Sequence, residues 1–182
     1  MDLDSLLEGC INNDRKSQEM LYQSFAPKMM TVCLRYADSQ YEAEEILQLG
    51  FIKLFNGMKS FAGKGSFEGW VRRIFVNTAI ETYKKKTIMK SFDALDGEDQ
   101  TFLQSFDPDR ITVQELLNMV QELPAGYRLV FNMYSIEGFS HKEIAERLNI
   151  SEGASKSQLS RARTRLQQKI KIIEKELNGI RS

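Results

Sequence analysis

Apolar residues return every three or four positions along most of this chain, and short polar breaks mark where each run starts and stops. Leu3 to Asn12 is a short amphipathic segment closed by Asn12, Asn13 and Asp14. Leu21, Tyr22, Phe25, Met29, Val32 and Tyr36 then form one stripe, which predicts a helix from about Arg15 to Tyr36 with Pro27 placed to kink or divide it. Ser39 followed by Glu42 is a capping-box pair. It opens a helix to about Asn56 whose inward stripe is Ala43, Leu47, Phe51, Leu54 and Phe55. Glu45, Gln48, Leu49 and Lys53 are left outward or partly so. After the loop Gly57–Ser66, Ser66 caps a helix through Lys86 that carries Phe67, Trp70, Val71, Ile74, Phe75 and Tyr83. Further on, Asp107 with Pro108 starts a helix through Glu122, and Pro124 starts another, with Tyr127, Val130, Phe131 and Tyr134 inside, that Gly138 stops.

From Ser140 two helical patterns abut across a very short break. Ser140 and Glu143 form a second capping box, and Ile144, Ala145 and Leu148 make one apolar face. Asn149 and Ile150 interrupt, then Ser151 caps the next helix. That helix buries Leu159, Ala162, Leu166, Ile170, Ile173 and Leu177, while Lys156, Ser157, Ser160 and Arg161 share the opposite side near its start. A short helix, a tight turn and a helix with cations and hydroxyls forward is the helix-turn-helix arrangement, whose second helix enters the major groove by its N-terminus. The same pattern also fits a solvated face on an ordinary helical hairpin. One-sided charge favours the groove: from Ser151 to the end eight cations face three carboxylates. Arg163 and Lys169, further along, are expected at phosphates or in solvent.

Composition changes the picture in two places. Pro and Gly number only 3 and 11 in 182 residues and alternating β-branched runs are almost absent, so the expected fold class is all-α. The net charge is 0, which hides an uneven distribution. Residues 88–110 hold six carboxylates against two cations, with little periodicity, and read as an acidic flexible linker. It separates an N-terminal domain, 1–86, from a C-terminal four-helix domain, 111–182, with the linker at 87–110. No run approaches a membrane span, the acidic start is unlike a signal peptide, and Cys10 and Cys33 form no CxxC. A cytoplasmic protein with two buried thiols is expected.

The helix after Ser66 has more aromatic bulk than one stripe needs, with Arg72, Arg73, Asn77, Lys84, Lys85 and Lys86 among the rings. Aromatics interleaved with cations suit a surface that takes unstacked bases and phosphates. Core aromatics beside a solvated basic edge would look the same. Leu49 has two readings as well, a partner surface or a residue half-covered by a neighbour.

The order of these parts resembles the bacterial RNA polymerase sigma factors of the small, two-domain extracytoplasmic-function (ECF) group. YEAEEILQLGFIKLF is similar to their segment for the clamp coiled coil of the polymerase, and FEGWVRRIFVNTAIETYKKK to the segment that recognises and opens the −10 promoter element. The stretch from LPAGYRLVF to SRARTRL resembles the domain that reads the −35 element. The resemblance implies an N-terminal region 2-like bundle and a C-terminal region 4-like domain.

It also implies partners: core polymerase at clamp coiled coil and flap, promoter DNA, and an anti-sigma factor, with no membrane insertion. Polymerase contacts fall to Glu45, Gln48 and Leu49, where Leu49 departs from the usual acid. The −10 contacts fall to Phe61, Lys64, Ser66, Arg72, Arg73, Asn77, Lys84 and Lys85, and the −35 contacts to Lys156, Ser157, Gln158, Ser160 and Arg161. Glu81 stands where Asp is more frequent, Gln158 replaces a frequent Arg, and Ser155 a frequent Val. Catalytic residues, cofactors and metals are not expected. A regulator that binds DNA without polymerase would need only the C-terminal half. A nuclease would need a ligand cluster, and the single histidine, His141, stands alone at a helix start.

Overall fold

The computed structural model describes residues 3–92 and 113–180, and every regular element among them is helical. The chain divides into two compact units, Met1–Asp93 and Ala94–Ser182.

The first unit is built from α1 (Leu3–Ile11), α2 (Arg15–Tyr36), α3 (Gln40–Gly57) and α4 (Phe67–Phe92), with a 3-10 turn at Met58–Ser60. Asp14 caps α2, its Oδ2 accepting from the Ser17 backbone at 2.8 Å, and Ser39 Oγ accepts from the Glu42 backbone at 3.1 Å. Pro27 does not divide α2, which runs through it as one helix. Pro27 lies on the exposed side, where the carbonyl it deprives of a donor reaches water. The burial of Leu21, Met29, Val32 and Tyr36 along the other side holds the helix continuous.

The core of this unit is Leu21, Met29 and Val32 from α2, Ile46, Phe51 and Leu54 from α3, and Val71, Phe75 and Ile80 from α4. Phe51 and Phe75 meet edge to face at 5.1 Å. Phe55, expected inward, is only half-buried. Helix α4 continues past its expected end at Lys86 to Phe92. Residues 93–112, most of the acidic stretch, lie outside the described residues, as does the expected helix start at Asp107 and Pro108.

The second unit contains α5 (Val113–Gln121), α6 (Ala125–Phe131), a π-helical turn at Asn132–Ile136, α7 (His141–Leu148) and α8 (Glu152–Ile180). Arg128, 4% exposed, turns inward; its Nη1 donates to the Gln121 and Leu123 carbonyls at 2.5 and 3.4 Å and so closes the end of α5. Leu129, Val130 and Met133 are the buried apolar side chains of this stretch, with Asn132 buried beside them. Tyr127, Phe131 and Tyr134, expected inside, are half-buried. Gly138 then takes φ +76°, and Ser140 with Glu143 forms a complete capping box that opens α7. Asn149 closes α7 at φ 55°, and Ser151 Oγ accepts the Ala154 N–H at 3.0 Å to start α8. Ile144, Leu159, Ala162 and Ile173 complete the core. Leu177 is among the residues whose side chains are not described.

Candidate nucleic-acid interface

Three surfaces collect the residues singled out above. On α3, Glu45, Gln48 and Leu49 are all exposed, and they lie in line with Tyr41 and Ile52. The spacing from Tyr41 through Glu45, Gln48 and Leu49 to Ile52 keeps one helix face. Tyr41 is 71% exposed, Leu49 45% and Ile52 56%. Leu49 is thus partly covered but open on this face, and two further apolar side chains lengthen the patch. Tyr41 and Ile52 were missed in the sequence, although their period with Glu45 and Gln48 was there to count. Lys53, at the edge, is held to Glu81 of α4 at 2.6 Å.

The second surface is the loop before α4 and the outer side of that helix. Gly63 and Gly65 take φ +69° and +85°, a backbone that glycine alone adopts freely, so Lys64 and Ser66 stand on an exposed loop. Ser66 Oγ accepts the Gly69 N–H at 3.1 Å and starts the helix. Phe61 is half-buried in a ring cluster, 5.2 Å from both Phe67 and Trp70. Arg73, Asn77 and Lys84 fall within about 40° of one another around α4, with Lys85 on the flank. Arg72 is different. It points about 100° away from Arg73 and is half-buried, so it does not share their face. Lys86 is also drawn off the basic run, its Nζ lying 2.5 Å from Asp38 Oδ2 and 3.2 Å from Glu42 Oε1.

The third surface is α8. Ser157, Ser160 and Arg161 share its outward side with Thr164, all exposed. Lys156 and Gln158 stand on opposite flanks, about 90° or more from that centre, and Gln158 is half-buried against the domain. The charges along α8 are less free than the sequence suggested. Arg161 Nη1 donates to Tyr127 Oη at 3.3 Å, and Arg165 lies over the Tyr127 ring at 5.7 Å. Arg163 lies over Tyr134 at 5.7 Å, and Lys169 pairs with Glu122 instead of facing solvent. Tyr127 is thus a member of this surface that the apolar pattern had assigned to the core. Ser155 is fully buried beneath it.

Among the described residues no group of three or more His, Cys, Asp or Glu is arranged to hold a metal ion. Nor is any described helix long and apolar enough to cross a membrane.

A helical bundle with a basic, aromatic-edged helix, followed by a helix-turn-helix with a cationic outer face, defines a two-unit helical protein equipped for DNA. Comparison with known families makes this specific. The model described as Sigma-70 region 2 matches residues 21–88, and that described as Sigma-70, region 4 matches residues 113–166. Together they take in about two thirds of the chain. The sigma-E factor of Escherichia coli K12, an ECF RNA polymerase sigma factor, is 25% identical over 177 residues, covering 91% of this chain and 92% of the relative. The ECF sigma factor SigE of Mycolicibacterium smegmatis is 26% identical over 156 residues, covering 82% of this chain. That match spans 60% of the length of the mycobacterial protein. Among solved structures, the sigma factor RpoE of Bartonella quintana, crystallised with the anti-sigma factor NepR, superposes with a TM-score of 0.54. It is 21% identical, and the match covers 85% of this chain and 96% of that one, a likeness of fold. The chain belongs to the sigma-70 family, in its ECF group of RNA polymerase sigma factors.

Proposed function

We propose that this chain directs core RNA polymerase to promoters by three contacts. The α3 face of Tyr41, Glu45, Gln48, Leu49 and Ile52 docks on the polymerase. The loop at Lys64 and Ser66, with Arg73, Asn77, Lys84 and Lys85 of α4, holds the −10 strand. The outer side of α8 reads the −35 element. Phe61 supports the −10 loop through its ring cluster, and Arg72, half-buried on another side of α4, stands apart from that face. The division at residues 1–86, 87–110 and 111–182 follows these duties, with the acidic linker crossing basic channels of the polymerase that later carry RNA.

No covalent chemistry is asked of the chain. Opening the duplex requires only that extruded bases be captured, at a cost of a few kcal/mol per unstacked base, which binding to the polymerase and to both elements offsets. A chain with these duties works where polymerase and promoter are, in the cytoplasm. The Bartonella quintana relative is bound by an anti-sigma factor, and we infer an inhibitor of that kind here too.

The observation that carries this reading is the apolar-edged line on α3, in the same chain as a helix-turn-helix. A regulator acting alone on DNA would have no use for the α3 face. Run-off transcription with purified core polymerase on genomic promoter fragments is the test. Discrete transcripts that depend on the chain support it. No transcripts, together with nanomolar operator binding by the free chain in a gel shift, would favour the stand-alone regulator.

A further inference from the structure

We infer that the hollow between Tyr127 on α6 and the flank of α8 is a seat for one backbone phosphate of duplex DNA, and that Tyr127 positions Arg161 within it. The inference rests on the reading of α8 as the groove helix. It changes the role of Arg161 from reading a base to gripping the backbone.

The hollow measures about 340 Å³ and is lined by Tyr127, Ser160, Arg161, Thr164, Arg165 and Gln168. Two guanidinium groups border it and no carboxylate does. Two like charges gathered on one phenol ring repel each other until an anion lies between them. The tyrosine holds them by different means: its oxygen takes the Arg161 N–H at 3.3 Å, and its ring face lies 5.7 Å beneath Arg165. Forked guanidinium donors suit a phosphodiester better than a point charge would. Ser160 adds a hydroxyl to the rim, whereas the Thr164 hydroxyl already donates to the Ser160 carbonyl at 3.1 Å. Position decides between base and phosphate. Ser157, nearer the N-terminus and centred on the outward side, lies where a groove helix brings side chains to base edges. Arg161 is tethered sideways to the neighbouring helix, toward the groove wall, where phosphates line the duplex.

The test uses holoenzyme assembled from core polymerase and the full chain. It binds duplexes with the same −10 segment and either a matched or a scrambled −35 element, titrated from about 50 to about 200 mM salt. Arg161→Gln and Arg165→Gln should each flatten the salt slope by about one and weaken both duplexes alike. Tyr127→Ala should flatten the slope as the arginine variants do, and Tyr127→Phe, which keeps the ring under Arg165, should recover part of it. A tyrosine that merely packs would leave the slope untouched, and that result overturns the seat. So does a narrowed matched-to-scrambled ratio for Arg161→Gln, whatever its slope, because it makes Arg161 a base reader. A wild-type holoenzyme that cannot distinguish the two duplexes would sink the −35 reading of α8 instead. Slopes on the scrambled duplex then still decide the seat.

Discussion

His141 and Ser155 meet across the turn of the helix-turn-helix, with the imidazole Nδ1 2.9 Å from Ser155 Oγ. His141 opens α7, and Ser155, fully buried, lies in the first turn of α8. The imidazole also stacks on Tyr134, with centroids 4.4 Å apart and planes 22° from parallel. One side chain therefore ties the π turn, α7 and α8 together. A hydroxyl in an otherwise apolar stripe is costly unless it has such a partner.

Ser155→Val removes that partner. We expect a net loss of about 1–3 kcal/mol, because the imidazole nitrogen is left facing methyl groups. His141 is the only histidine in the chain, so its ring protons give a single resonance set in NMR. Those resonances should shift as the ring leaves the face of Tyr134. A more stable variant with unmoved resonances would show the contact to be incidental.

Gly50 in α3 gives a second prediction, where two effects oppose. Gly→Ala inside a helix ordinarily stabilises by about 0.5–1 kcal/mol. A Cβ here would lie 2.4 Å and 2.5 Å from Phe75 ring atoms, and Phe75 is fully buried against Phe51. The ring has nowhere to go, so overpacking wins by about 1–3 kcal/mol. Urea denaturation of Gly50→Ala should show a lower midpoint; a higher one means that α3 and α4 separate at little cost.

What the sequence made legible was mostly local. Ser39, Ser140 and Ser151 each accept the N–H three residues on and cap their helices, and Gly138 stops one by its positive φ. Of the two expected capping boxes Ser140 with Glu143 is complete, whereas the Glu42 carboxylate takes the Asp38 N–H. Such signals depend on side chains a few residues apart. Misreadings arose where tertiary packing decided. Pro27 is tolerated because the helix around it is anchored by buried residues on its other side. Tyr127, Phe131 and Tyr134 read as core from their apolar spacing but are half-buried, and no composition signal announced the π turn at Asn132–Ile136. Lys86 and Lys169 looked like free members of basic runs, yet each meets a carboxylate from a different helix or connection. Arg72 stood beside Arg73 in sequence, but one step along a helix turns it about 100°.

On α3, Gln48→Ala should weaken core polymerase binding several-fold, and Ile52→Asp more, since it places a charge on the apolar end of that face, where Ile52 is 56% exposed. Both sites are outside the core, so folding should be unaffected by either change. Competition against a labelled wild-type chain for core polymerase would measure the effect. Equal affinity for all three proteins would remove this face from the polymerase interface.

Lys86 separates a structural cation from those available to DNA. Its ammonium is held by Asp38 at 2.5 Å and by Glu42 at 3.2 and 3.3 Å, while Glu42 Oε2 also accepts the Asp38 N–H at 2.6 Å. Burial works against the charged form, but the Asp38 hydrogen bond and the charges of Asp38 and Glu42 outweigh it, so the pKa lies above the ordinary lysine value. A raised folded pKa contributes stability that is whole below the unfolded value and lost as pH rises through the folded one. Lys86→Met keeps the stem and removes the charge. Because Lys86 is 37% exposed, solvent screening limits the loss to about 0.5–1 kcal/mol at neutral pH. Urea midpoints at about pH 7 and about pH 11 should therefore show a gap between wild type and variant that narrows at the higher pH. In promoter binding, Lys84→Ala should flatten the salt slope by about one, and Lys86→Met should not. If Lys86→Met flattens the slope as much as Lys84→Ala, DNA draws the ammonium away from its carboxylates, and Lys86 belongs to the −10 surface after all.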